Sequence, residues 1–175
     1  MTAVLTDTKL YKALIKYRNH YLNKNLNNYD ESSTRIIINH LLSDVLGYKE
    51  LIDIKTEYPI KGGFIDYLIE LDNKKIFTIE AKPIGTKLSD KHLRQAIYYA
   101  TTVGSDWIIL TDGRILDLYR VKYAKPIVER KLFSIDFKKL DIKSRQLISY
   151  ISKSSMNLGE LDRLIKIYDE VVGFS

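Results

Sequence analysis

At 175 residues the chain has room for one domain, and 45% hydrophobic with 29% charged residues is the mixture of a folded globular protein, not a disordered one. Lys and Arg exceed Asp and Glu by a formal charge of +6, which favours an anionic partner such as nucleic acid or a phospholipid surface. The absence of cysteine excludes thiol catalysis, Cys-ligated zinc and disulfides, and no apolar run nears the ~20 residues of a membrane span.

Met1–Lys9 has no signal-peptide core, so a cytoplasmic location is expected. The first helix is predicted from Thr8 to Asn23, capped by Asp7 or Thr8, with Leu10, Ala13, Leu14 and Tyr17 on one stripe. After a polar connection over Asn23–Asn28, a second helix starts at Asp30 or Ser32 and ends at Gly47. Its broad apolar face would bury Ile36, Ile37, His40, Leu41, Leu42, Val45 and Leu46.

Residues 52–60 read as a strand, and Lys61-Gly62-Gly63 as a turn. Residues 64–71 and 76–82 are two further strands joined over Asp72–Lys75. A helix from Ser89 to Thr102 follows, with Leu93, Ala96, Ile97 and Ala100 on its apolar line and Gly104 as its stop. The wholly apolar run 107–111 has the signature of a strand covered on both faces, and Asp112-Gly113 turns it into a return strand over 115–121. A ribbon over 127–133 and two helices, about 138–152 and 158–172, complete the chain. The order α-β-β-β-α-β-β describes a mixed α/β sandwich with a right-handed crossover that lays the Ser89 helix on one sheet face. No glycine-rich phosphate loop is present, which argues against a Rossmann unit.

Chemistry concentrates in the stretch from Gly62 to Lys82. Acidic residues normally avoid the apolar centre of a strand, yet Asp66 lies inside Phe64–Leu71 and Glu80 lies between Ile79 and Ala81. Side chains alternate along a strand, so Lys82 shares the face of Glu80. Hairpin register decides whether the carboxylates meet. A two-residue loop at Asn73-Lys74 would send them to opposite faces, whereas an odd-length loop or a bulge would set Asp66 against Glu80. The second arrangement is expected. Two carboxylates ~5 Å apart repel by roughly 3 kcal/mol at an effective dielectric of 20, and Mg²⁺ (or Mn²⁺) is the hard cation suited to offset that. A water activated there beside Lys82 would be a nucleophile for a phosphoryl centre. As a bare spacing, the pattern also fits an ordinary edge salt bridge.

Gln95 and Tyr99 share a helix face at i and i+4, directly after the Glu80 strand. Lys87, Lys91 and Arg94 make that segment basic, as a phosphate-contact surface should be, though they also suit a solvated face. Glu31 stands near a helix N-terminus, where it would either interact with the dipole or add to a metal shell. The three histidines, His20, His40 and His92, fall on separate helices without metal-ligand spacing, and His40 is expected in the core.

Asp66…Glu80-Ala81-Lys82 followed by Gln95-x-x-x-Tyr99 resembles the PD-(D/E)XK nuclease superfamily. More narrowly, it resembles the N-terminal nuclease domain of type I restriction endonuclease R subunits and their free-standing relatives. Glu31-x-x-Thr34-Arg35 leading to Leu46-Gly47-Tyr48 is similar to that group's opening helix, and Gly113-Arg114 with Leu118-Tyr119 to its later strand. The resemblance covers about residues 29–121 of a single 1–175 domain, leaving out the N-terminal helix (1–28) and the C-terminal helices (136–175). It implies a restriction-endonuclease-like αβββαβ core, a mixed central sheet flanked by helices with extra helices at both termini. It also implies Mg²⁺-dependent hydrolysis of DNA phosphodiesters, with Asp66, Glu80 and Glu31 as metal ligands, Lys82 beside the nucleophile and Gln95 and Tyr99 in support. Phosphate contacts would come from Lys87, Lys91, Arg94, Arg35 and Lys61. The superfamily's proline is replaced by Ile65, and no ATP-binding phosphate loop follows. A homodimer through the terminal helices, a non-catalytic DNA-binding or assembly module, and an RNA nuclease are the other readings left open.

Overall fold

The computed structural model describes residues 8–26, 29–121, 126 and 130–173. The Asp7 cap, residues 27–28 of the polar connection and residues 127–129 of the expected ribbon lie outside them. Helix α1 (Thr8–Tyr17) runs on through a π-helical turn, Arg18–Leu22, so the expected span to Asn23 holds. Helix α2 (Glu31–His40) is capped by the Asp30 carboxylate, which accepts from the Ser33 N–H at 2.8 Å. A second π-helical turn, Leu41–Val45, extends α2 to the left-handed Gly47.

Among the described residues six strands follow in the order β1-β2-β3-β4-β5-β6 across one sheet. These are β1 (Ile54–Ile60), β2 (Gly63–Leu71), β3 (Lys74–Ala81), β4 (Trp107–Thr111), β5 (Ile115–Arg120) and β6 (Lys131–Asp136). Strands β1, β2 and β3 form an antiparallel meander, and β4, β5 and β6 another. They join through the parallel pair β3–β4, bridged by helix α3 (Asp90–Val103). Of the ribbon expected at 127–133, residues 131–133 lie in β6, which runs on to Asp136. The C-terminal region divides into α4 (Ile142–Ser149), α5 (Lys153–Asn157) and α6 (Glu160–Gly173), not two helices. The first expected helix, 138–152, is shorter because Asp141 caps its start, and Ser152 caps the additional α5 in the expected gap by accepting from the Ser155 N–H.

Alternation on β4 shows how the layers are made. Trp107 and Ile109 point into the larger core with Leu14, Ile37, Ile38, Phe77, Leu118 and Phe137. Ile108 and Leu110 point into a smaller core with Leu93, Ala96 and Ala100 of α3. The α2 face is narrower than the sequence suggests: Ile36 is 56% exposed. His40 is likewise a correction, since its side chain is 40% exposed, bonds Asp44 at 2.7 Å and stacks on Tyr21 at the surface.

Two buried polar groups tie the segment after β3 to the rest. Asp112 is 2% exposed, and its carboxylate accepts the backbone N–H groups of Gly85, Arg114 and Ile115 at 2.9, 2.9 and 2.7 Å. Thr34, 1% exposed, accepts the Ile84 N–H at 3.1 Å while donating to the Asp30 carbonyl. Replacing Asp112 by Ala strands these donors, each worth on the order of 1 kcal/mol or more when buried. Asp112→Ala is therefore expected to lower stability by roughly 3 kcal/mol, read as a fall in the urea midpoint at unchanged slope.

Candidate active site

The β2–β3 hairpin closes with a two-residue loop, Asp72-Asn73, both at positive φ (48° and 62°) as a tight type I′ turn demands. Leu71 pairs with Lys74 and Glu70 with Lys75, but Ile69 then pairs with Phe77, so Ile76 is an extra residue on β3. This bulge shifts every later pair by one, through Tyr67 opposite Ile79. Continued one position further, the register sets Asp66 opposite Glu80. The expected bulge is present.

At this point β2 and β3 part. The Ala81 N–H donates at 2.8 Å to the Asp66 Oδ2. Asp66 Oδ1 takes the Arg35 guanidinium at 3.0 Å. Glu80 is 4% exposed and Lys82 donates to its Oε1 at 2.5 Å. Burial holds the Glu80 carboxyl above its ordinary value; the Lys82 bond opposes this, and the Asp66 charge adds to it. Among the described residues none hydrogen-bonds Glu80 Oε2. Lys82 is fixed by its own backbone, whose N–H donates to the Thr111 carbonyl at 2.9 Å and carries the β3–β4 ladder one residue beyond β3.

Helix α2 is registered on β2 by Tyr67, whose hydroxyl donates to the Arg35 carbonyl at 3.1 Å. Burial pushes that hydroxyl up to about 12, so it remains a donor. The Arg35 guanidinium also faces Glu31 at 3.6 Å and Glu57 at 3.9 Å. Glu57 stands in the interior of β1 at φ +47°, a left-handed conformation that costs a non-glycine residue on the order of 1 kcal/mol.

The remaining predicted residues are distributed unevenly. Glu31 does not join Asp66 and Glu80: its side chain is 67% exposed and turned to Arg35. Among the described residues no group of three or more His, Asp or Glu side chains is arranged to hold a metal ion. Gln95 donates to the Tyr99 hydroxyl at 2.8 Å, confirming their shared face; Tyr99 is buried, and its oxygen would lie 2.9 Å from a Cβ on Gly63. That dyad braces the start of β2 against α3. Lys61, Lys87, Lys91 and Arg94 are all exposed.

Sequence reasoning placed Arg35 among the phosphate contacts and missed its bond to Asp66. It missed Glu57 entirely, since nothing local announces a strained glutamate in a strand. His92 was set aside with the other histidines, yet its ring accepts the Ser89 N–H at 3.4 Å through Nδ1 at the start of α3. Burial lowers its pKa first, and the charges of Lys82 and Lys91 lower it further.

The donor set suits a hard divalent cation. Two carboxylates share one end of the sheet, and one of them is buried with an oxygen that no described residue hydrogen-bonds. The concavities beside α6, about 480 and 580 Å³, are lined by other residues.

No family model and no curated relative matches the sequence. Among solved structures the chain is similar to the type IIG restriction endonuclease BpuSI, with a TM-score of 0.55 and 17% identity. The match covers 77% of this chain and 18% of that one, so the chain spans under a fifth of its neighbour's length. The fold is thus restriction-endonuclease-like, a mixed sheet flanked by helices. No described helix is long and apolar enough to cross a membrane.

A carboxyl whose pKa is raised by folding favours the folded state when protonated. The contribution is fully present below the unfolded value and is lost as pH rises through the folded one. Without divalent ions, Glu80→Gln should therefore raise the melting temperature at pH 7, and the gap to wild type should close as pH falls through the acidic range. Equal melting temperatures at pH 7 would contradict the burial penalty at Glu80.

Proposed function

We propose that the protein is a metal-dependent nuclease that hydrolyses DNA phosphodiester bonds. One observation carries this reading: the β3 bulge sets Asp66 across from Glu80 with Lys82 on the Glu80 carboxylate. The restriction-endonuclease-like fold supports it, as does the resemblance of Glu31…Arg35, Asp66, Glu80-Ala81-Lys82 and Gln95…Tyr99 to type I R-subunit nuclease domains.

Asp66 and Glu80 would hold Mg²⁺ or Mn²⁺. The chemistry such an ion supplies when bound is polarisation of water and neutralisation of phosphate charge. The protein's own groups do the positioning. The Ala81 N–H orients the Asp66 carboxylate through Oδ2. Glu80 holds the Lys82 ammonium at the end of β3, where it would orient the attacking water and face the charge growing on the phosphoryl oxygens. Thr34 and Asp112 hold the chain just beyond Lys82, so the ammonium projects from a pinned backbone. Lys61, Lys87, Lys91 and Arg94 would track flanking phosphates, giving binding that weakens steeply with salt.

One observation favours a second reading, a non-catalytic DNA-binding module. Each carboxylate already has a cationic partner, Arg35 on Asp66 and Lys82 on Glu80, so their repulsion is partly offset without metal. Cleavage separates the two. The protein is expected to cut plasmid or linear DNA with Mg²⁺ or Mn²⁺ but not with EDTA, and Asp66→Ala, Glu80→Ala and Lys82→Ala should each reduce the rate by about a hundredfold or more. Salt-dependent binding without cutting would establish the module instead.

The basic surface is tested by binding alone. Each of Lys87→Ala, Lys91→Ala and Arg94→Ala should reduce the slope of log affinity against log salt by about 0.9 if that residue contacts a phosphate. An unchanged slope removes that residue from the interface.

A further inference from the structure

Arg35 is surrounded by more negative charge than one guanidinium can satisfy. Its Nη2 lies 3.0 Å from Asp66 and 3.6 Å from Glu31, and its Nη1 lies 3.9 Å from Glu57. With Glu80 and its partner Lys82, this end of the sheet gathers four carboxylates against two cations, a deficit of two positive charges. One divalent ion closes that deficit.

The contacts are not equivalent. Asp66 is mostly buried (side chain 19% exposed) and hydrogen-bonded to Arg35, whereas Glu31 and Glu57 are 67% and 73% exposed and sit at longer range. Exposed ion pairs hold weakly, so the two glutamates are a poorer seat for the guanidinium than Asp66. They are nonetheless a built seat. Glu31 is one helical turn before Arg35 on α2, and Glu57 faces Arg35 from a strained position in the interior of β1.

We propose that Arg35 is a positioning residue that stands in for the divalent ion at Asp66. It occupies Asp66 Oδ1 while the site is metal-free, keeping the carboxylate in place beside the Ala81 N–H. When the ion takes that oxygen, the guanidinium turns onto Glu31 and Glu57, a side-chain rotation that leaves α2 and β1 where they are. Metal binding thus competes with one ion pair and is helped by another. This rests on the metal-dependent reading above.

Titrating Mn²⁺ into the full chain by calorimetry, with no DNA present, tests it. Arg35→Met removes the competitor and should bind Mn²⁺ about tenfold more tightly than wild type, with Arg35→Lys moving the same way. Arg35→Met should also melt lower without metal and gain more on adding it. Glu57→Gln leaves Arg35 with a poorer second seat and should weaken Mn²⁺ binding several-fold in wild type, but have no effect in Arg35→Met. A glutamate acting only by its own charge would weaken binding equally in both backgrounds.

Unchanged or weaker binding in both Arg35 variants, or an undiminished Glu57→Gln effect in Arg35→Met, overturns the role given to Arg35. If wild type binds Mn²⁺ and Asp66→Asn abolishes it, that result leaves the metal reading standing alone. If no folded variant, wild type included, binds Mn²⁺ at millimolar concentration, both fall together.

Discussion

Two carboxylates brought to one place must be balanced, and the organisation of this end of the sheet follows from that. Asp66 and Glu80 come within electrostatic reach of each other at the strand ends whose register the extra residue on β3 sets. Once they do, water cannot screen them well, since Glu80 is almost wholly buried. The protein answers with a cation for each: Lys82 from the same strand end and Arg35 from the helix packed beside it. Asp66 receives a backbone N–H in addition, placed by the parting of β2 from β3. The result is a site that holds together on its own while remaining short of positive charge.

The fold delivers these groups by fixing backbones, and only then side chains. Residues Ala81–Gly85 leave the sheet at the carboxyl end of its parallel pair, the end at which ligands of α/β sheets commonly bind. There the chain is seized from both sides, by Thr34 of α2 on Ile84 and by Asp112 of the β4–β5 turn on Gly85. Tyr67 fastens α2 to β2 in turn. Each clamp uses a buried polar group with its partners satisfied, so the rigidity comes from hydrogen bonds whose loss would be costly. The Gln95–Tyr99 pair belongs with these clamps: it closes α3 against Gly63, where any side chain would collide with the tyrosine oxygen.

Much of this was legible in the sequence, and the reasons differ by element. The central strands and α3 were readable because apolar period, turn residues and caps agree there: 107–110 is apolar, all of 107–111 is buried, and Gly104 ends α3 in the left-handed conformation. The bulge was readable by its consequence, since two strand carboxylates at unrelated faces would have had no chemical sense; its position at Ile76 was not. The surface end of α2 misled because isoleucine and histidine satisfy a periodic pattern whether or not a neighbour covers them, and at Ile36 and His40 the sheet does not reach. The short helix α5 falls in the gap expected between the two C-terminal helices, because serines make its cap and most of its first turn, which pattern alone reads as a polar connection. Tertiary electrostatics left the least trace. Arg35 reads the same from sequence whether it grips Asp66 or a phosphate, and Glu57 is special only through a backbone angle.

That last class of residue explains why likeness of fold and presence of a site are separate matters here. The sheet and its helices can be shared with a restriction endonuclease at 17% identity because hydrophobic pattern and connectivity tolerate almost any substitution that keeps volume and period. The charged cluster tolerates far less. A buried Glu80 works against stability unless something uses it, and a left-handed Glu57 adds to that burden. The surrounding clamps on Thr34, Tyr67 and Asp112 are what allow the fold to carry both. Under the proposed reading, a sheet end so well fastened around groups so poorly suited to burial would serve a charge that arrives from outside: an anionic polymer and its accompanying cation have that character, and an apolar ligand does not.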